Sequence, residues 1–211
     1  MEKGVYKTNV LFIVDAQNDF CNKKGSLANE KTVAVVDNIT KMLNDVIFDK
    51  IVCTMDTHGV GYNETIEGRH LPIAHCLKPS WGWKMEEHVY NSLYYCNDVS
   101  FVEKSGFAPN PYDVHTVLGG FEYDGIYVCG VCTDICVLNT ALMLKNFFDK
   151  EVYVVEPCCA GSEPENHYAA IRVMKACHIN VVTDFPDGMK VVSKKIEDWI
   201  DKSSTTKNTD L

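Results

Sequence analysis

Residues Tyr127–Leu138 read YVCGVCTDICVL. An apolar run, Ile126–Val131, gives way to Cys132-Thr133-Asp134, and a helical pattern then carries Val137, Ala141, Leu144 and Phe148 along one stripe. A strand that turns straight into a helix is the building unit of an α/β fold. Cys136 falls in the first turn of that helix, where exposed N–H groups and the positive end of the dipole favour thiolate over thiol. The same N–H groups could receive the oxyanion formed when a thiolate attacks a carbonyl.

The pattern repeats outward from this unit. Val10–Val14 and Ile51–Met55 read as buried strands on either side of a helical segment, Lys31–Asp49, with Val33, Val36, Ile39, Leu43 and Val46 on one face. Val99–Val102, Val152–Val155 and Asn180–Thr183 supply further strands. Pro164 opens a helix that runs to Cys177, at a position where its missing N–H costs little. Continuous apolar strands alternating with helices predict a three-layer α/β/α, Rossmann-like fold with a six-stranded, mainly parallel sheet. One domain is expected over residues 1–211, with 203–211 as a flexible tail because that stretch lacks any apolar pattern. Thr57–Lys84 breaks the alternation; it is rich in Gly, His and Trp, and a loop that long inside a domain is usually functional.

Composition narrows the function. The 211 residues are 46% hydrophobic and suit one sizeable core. A net charge of −9 disfavours nucleic-acid and anionic-membrane surfaces. No apolar run reaches the roughly 20 residues of a membrane helix. The first residues, MEKGVYKTNVLFIVDAQ, do not read as a signal peptide, since Asp15 interrupts the apolar segment. The ten cysteines lie within strands and helices and not around loops. They read as reduced thiols of a cytoplasmic protein. No strand is followed by GxGxxG or a phosphate-binding P-loop, so the fold class implies no nucleotide.

Ligands of open parallel sheets bind beyond the carboxyl ends of the strands. Asp15, Asp56 with His58, Lys104 and Cys136 each follow a predicted strand. A carboxylate beside a thiol can take its proton and return it to a leaving amine. A lysine between them favours both anions. Asp56-x-His58, with Glu64, Glu67, His70 and His75 downstream, offers carboxylate and imidazole ligands for zinc, iron or manganese. Cys129-Gly-Val-Cys132 is a competing thiol–disulfide motif. Its first cysteine falls inside the strand, whereas the attacking thiol of such a pair belongs at the helix start.

Val14-Asp15-Ala16-Gln17-Asn18-Asp19-Phe20, Asp56-Thr57-His58, Val102-Glu103-Lys104 with Phe107, Gly130-Val131-Cys132-Thr133-Asp134-Ile135-Cys136-Val137 and Pro164-Glu165-Asn166-His167 stand in order along the chain. In these pieces the chain resembles the isochorismatase-like cysteine hydrolases, and their nicotinamidase branch most closely. The resemblance implies a triad of Asp15, Lys104 and Cys136. It also implies a cis peptide between Val131 and Cys132, and an oxyanion hole from the N–H groups of Cys132 and Cys136. It further implies one divalent metal, zinc before iron or manganese, on Asp56, His58 and His75. For the remaining ligand Glu67 is preferred to Glu64 or His70. Phe20, Phe107 and Gln17 are expected at the substrate, with Trp81 and Trp83 either lining its pocket or packing the loop. The implied activity is hydrolysis of nicotinamide to nicotinate and ammonia in NAD salvage. A related small amide or ureido compound is the alternative, and thiol–disulfide exchange a lesser one. The implied partner is the small molecule alone, with neither nucleic acid nor membrane, and a homo-oligomer is allowed.

Overall fold

The structure, a computed structural model, describes residues 8–183; the tail expected at 203–211 lies outside the described residues. Six strands, β1 (Asn9–Val14), β2 (Lys50–Asp56), β3 (Val99–Lys104), β4 (Gly125–Val131), β5 (Glu151–Ala160) and β6 (Asn180–Val182), form one sheet in the order β3-β2-β1-β4-β5-β6. Every pairing is parallel. The chain winds from β1 to one edge, returns, and winds from β4 to the other, so the switch point falls between β1 and β4.

Right-handed crossovers then dictate the layers. Helices α2 (Glu30–Asp45) and α4 (Glu87–Leu93) link strands running one way and pack together on one face. Helices α5 (Pro111–Leu118), α6 (Leu138–Phe147) and α7 (Pro164–Ala176) link strands running the other way and adjoin one another on the opposite face. Short helices α1 (Asn18–Cys21) and α3 (Ile66–His70) lie in the loops after β1 and β2. Sandwiching makes the central strands wholly apolar: Val10–Val14 are completely buried.

Two elements differ from their sequence reading. The buried face of α2 is Val35, Val36, Ile39, Met42 and Leu43, and Val33 stays only half-buried. Strand β5 runs on to Ala160 across Pro157 because its register against β4 slips between Val154 and Cys159, and proline is tolerated at such a bulge. Gly130 is required where β4 meets β1. Its φ is +119°, and a Cβ there would lie 2.1 Å from the Val14 carbonyl oxygen.

Candidate active site

Strand register gathers the chemistry at the switch point. Val14 pairs with Thr54 on one side and Gly130 on the other, so Asp15 emerges between β2 and β4. Asp56 pairs with Lys104, setting the carboxylate that ends β2 beside the lysine that ends β3. Asp15 takes φ +49°, a left-handed conformation that aspartate tolerates better than most residues. Its N–H donates to the Thr54 carbonyl, and its Oδ1 accepts from the Thr54 hydroxyl at 2.6 Å.

Lys104 Nζ lies 2.7 Å from Asp15 Oδ2, 3.4 Å from Asp56 Oδ1, 3.6 Å from Cys136 Sγ and 3.0 Å from the Gly106 carbonyl oxygen. Burial opposes its charge, yet Asp15, Cys136 and Asp56 outweigh burial and raise its pKa. Asp15 is itself raised: burial disfavours the carboxylate and Asp56 adds repulsion, with Lys104 pulling the other way. The Cys136 thiol is pushed well above its usual range by burial and by Asp15, against Lys104. Burial and the carboxylates of Asp15 and Asp56 thus oppose the thiolate that Lys104 and the helix start favour.

Cys136 sits on a π-turn, Thr133–Val137, that leads into α6. The Val137 N–H donates to the Cys132 carbonyl at 3.1 Å. A π-turn opens its ladder at the fifth residue, one past Cys136, so the helix start can turn the Cys136 N–H toward a ligand. The Val131–Cys132 peptide is cis. Burial pushes the Cys132 thiol up to about 12, leaving its backbone as the useful part. Cys129 is wholly buried within β4, which leaves a thiol–disulfide pair without an accessible first thiol.

Beside the triad, Asp56, His58 and His75 bring ligand atoms within 4.8 Å of one another, all buried. Asp56 Oδ2 lies 3.0 Å from His58 Nε2 and 3.2 Å from His75 Nε2. Glu67 on α3 adds carboxylate oxygens 4.0 Å from His58 Nε2 and 3.7 Å from His75 Nε2. Glu64 and His70 are exposed. His75 Nδ1 bonds the Ile73 carbonyl at 2.8 Å, which fixes the ring and leaves Nε2 free to ligate. Two imidazole nitrogens and two carboxylates suit one divalent ion. Tyr62 packs edge-on against both imidazoles.

The sequence-predicted aromatic residues divide. Phe20 is buried with its ring 5.5 Å from that of His75, and Phe107 is half-exposed on the loop after Lys104. Trp83 packs the loop, donating its indole N–H to the Thr57 hydroxyl, and both tryptophans border a groove shared with Phe101 and Glu103 of β3. Gln17 is wholly buried behind the site. Its amide donates to the carbonyls of Asp56 and Trp83, and its Oε1 accepts from the Asp56 N–H. Both donors are thus engaged by backbone.

Several contributors carried no reading in sequence. Thr54 holds Asp15, and Asp19 Oδ2 accepts from the Cys76 N–H at 2.7 Å, next to His75. A Cβ at Gly82 would meet the Asp19 carboxylate at 2.1 Å, so a side chain there would push Asp19 off the Cys76 N–H. Asp19 was visible within the motif Asp15-x-Gln17-x-Asp19-Phe20; nothing local marked Thr54.

Residues 9–184 match the Isochorismatase domain family. The chain belongs to that family. A nicotinamidase of Schizosaccharomyces pombe is 25% identical over 209 residues, covering 82% of this chain and 92% of that one. The crystal structure of a nicotinamidase/pyrazinamidase from Bacillus subtilis superimposes with a TM-score of 0.72 at 22% identity, over 83% of this chain and 99% of its own. A pyrazinamidase of Pyrococcus horikoshii, solved in complex with zinc, gives a TM-score of 0.68 at 24% identity, over 83% and 99%.

Proposed function

We propose that this protein hydrolyses nicotinamide to nicotinate and ammonia through a thioester on Cys136, as a step of NAD salvage. The observation that carries the reading is the buried contact of Lys104 with both Asp15 and Cys136, a nucleophile, a proton acceptor and a cation in one place. The nicotinamidase similarity supports the choice of amide.

Asp15 accepts the Cys136 thiol proton as Sγ bonds to the carboxamide carbon. The carbonyl oxygen becomes an oxyanion, received by the N–H groups of Cys132 and Cys136. Asp15 passes its proton to the amine, the C–N bond breaks, and ammonia leaves a nicotinoyl thioester. Water, deprotonated by Asp15, then adds to that carbon; the C–S bond breaks and the thiol is restored. Lys104 keeps its charge throughout and holds Asp15 ionised against burial. Asp56, His58, His75 and Glu67 would hold the divalent ion, for which zinc is our choice. When bound it supplies a Lewis-acid anchor for the pyridine nitrogen. Phe20 and Phe107 offer aromatic surfaces for the ring.

The test is ammonia release from nicotinamide by metal-replete protein. Release is expected from the wild type and should vanish in Cys136→Ala. Normal turnover by Cys136→Ala would sink the proposal.

A further inference from the structure

The turn that carries the Cys132 and Cys136 N–H groups is fastened from outside the triad. Thr133 is wholly buried, and its hydroxyl lies 2.9 Å from Nδ1 of His167 on α7. Beyond that imidazole stands Glu156 of β5, with Oε1 3.6 Å from Nε2. An ionised carboxylate only accepts, so it favours the ring proton on Nε2 and leaves Nδ1 to accept from the Thr133 hydroxyl. The next residue is tied as well: Asp134 Oδ1 accepts from the Ser162 N–H at 2.7 Å and its Oδ2 from the Ser162 hydroxyl. The connection from β5 to α7 closes tightly over both. A Cβ at Gly161 would stand 2.8 Å from the His167 Cβ and 2.9 Å from Asp134 Oδ1.

Resting on the amide-hydrolysis reading above, we infer that His167 is a positioning residue for the oxyanion hole, holding the Cys132–Cys136 turn through Thr133 with its ring set by Glu156. An oxyanion hole works because its donors are fixed before charge develops. Slack in the turn weakens binding of the transition state and leaves ground-state binding of the amide alone. Loss of His167 should therefore lower kcat and spare KM.

The test compares His167→Ala with His167→Asn, whose amide reaches the position of Nδ1 and keeps a bond to Thr133. One readout is steady-state ammonia release. The other is affinity for pyridine-3-carboxaldehyde, which reads the hole without turnover. Cys136 Sγ adds to the aldehyde carbon, the thiol proton passes to Asp15, and the carbonyl oxygen becomes the oxyanion. His167→Ala should lower kcat by about tenfold with KM within about twofold, and weaken the aldehyde by a similar factor. His167→Asn should recover most of both losses. Thr133→Val should show the same pattern, and adding His167→Ala to it should cost little more. Unchanged kcat and aldehyde affinity in His167→Ala, a raised KM with kcat retained, or His167→Asn as impaired as His167→Ala would each overturn the inference. Wild type that binds the aldehyde but releases no ammonia from nicotinamide would refute the substrate reading alone, and the aldehyde series would still decide the role of His167.

Discussion

The proposed triad and the candidate metal-ligand cluster adjoin each other yet are built by different means. Asp15 and Cys136 follow β1 and β4, Lys104 ends β3, and the backbone register that pairs Val14 with Gly130 and Asp56 with Lys104 sets their spacing. His58, Glu67 and His75 stand on a loop with a short helix, and side-chain-to-backbone bonds from elsewhere hold them. Gln17 clamps Asp56 from both sides of its peptide, and Asp19 ties down Cys76. Sheet register is distributed over many bonds, whereas the loop depends on a few buried polar side chains. Single substitutions should therefore separate the two halves.

The largest effect belongs to Asp15→Asn. Removing the proton acceptor should cut kcat by about a thousandfold, while metal content, measured by elemental analysis, stays near that of the wild type. Loss of metal in that variant would break the separation. Gln17→Leu should act the other way. It strands three buried backbone partners, which costs roughly 2–3 kcal/mol of stability in denaturant unfolding, and metal content should fall with it. Retained stability would mean that the loop holds itself.

An effect that is smaller at any one pH step comes from burial of thiols outside both halves, such as Cys158 on β5. Cys158 ionises near 9.0 when exposed and is pushed up to about 12 by burial. The folded protein keeps a proton that the unfolded chain releases between these values. Its contribution is therefore intact below pH 9 and is lost as pH rises toward 12. The expected slope is about 1.4 kcal/mol per pH unit for each such thiol. Denaturant unfolding between pH 8 and 11 measures it, and Cys158→Ala should flatten the slope by one thiol's share.

The same contrast explains what the sequence could tell. Strand ends were legible because apolar runs announce strands and parallel sheets place ligands beyond them, which located Asp15, Lys104 and Cys136 without a structure. Glu67 was preferred only through the family resemblance, and it is the carboxylate that approaches both imidazoles while Glu64 is exposed. Gln17 was harder. A glutamine in a motif reads as a ligand contact, because nothing in sequence shows that the Asp56 and Trp83 carbonyls converge on it. The opposition to a thiolate at Cys136 was hidden for a similar reason: the helix start is local, whereas the burial and the carboxylates that oppose it come from distant segments. The length of β5 escaped because Pro157 ends a strand by every local rule, and only the register slip against β4 accommodates it.

The central claim is that Cys136 carries the acyl group. Rapid acid quenching of protein turning over nicotinamide, followed by mass analysis of its peptides, tests it directly. A nicotinoyl group on the Cys136 peptide, absent from Cys136→Ala, is the predicted result. Steady ammonia release under quench conditions that preserve a synthetic thioester, with no acyl group on Cys136, would contradict it.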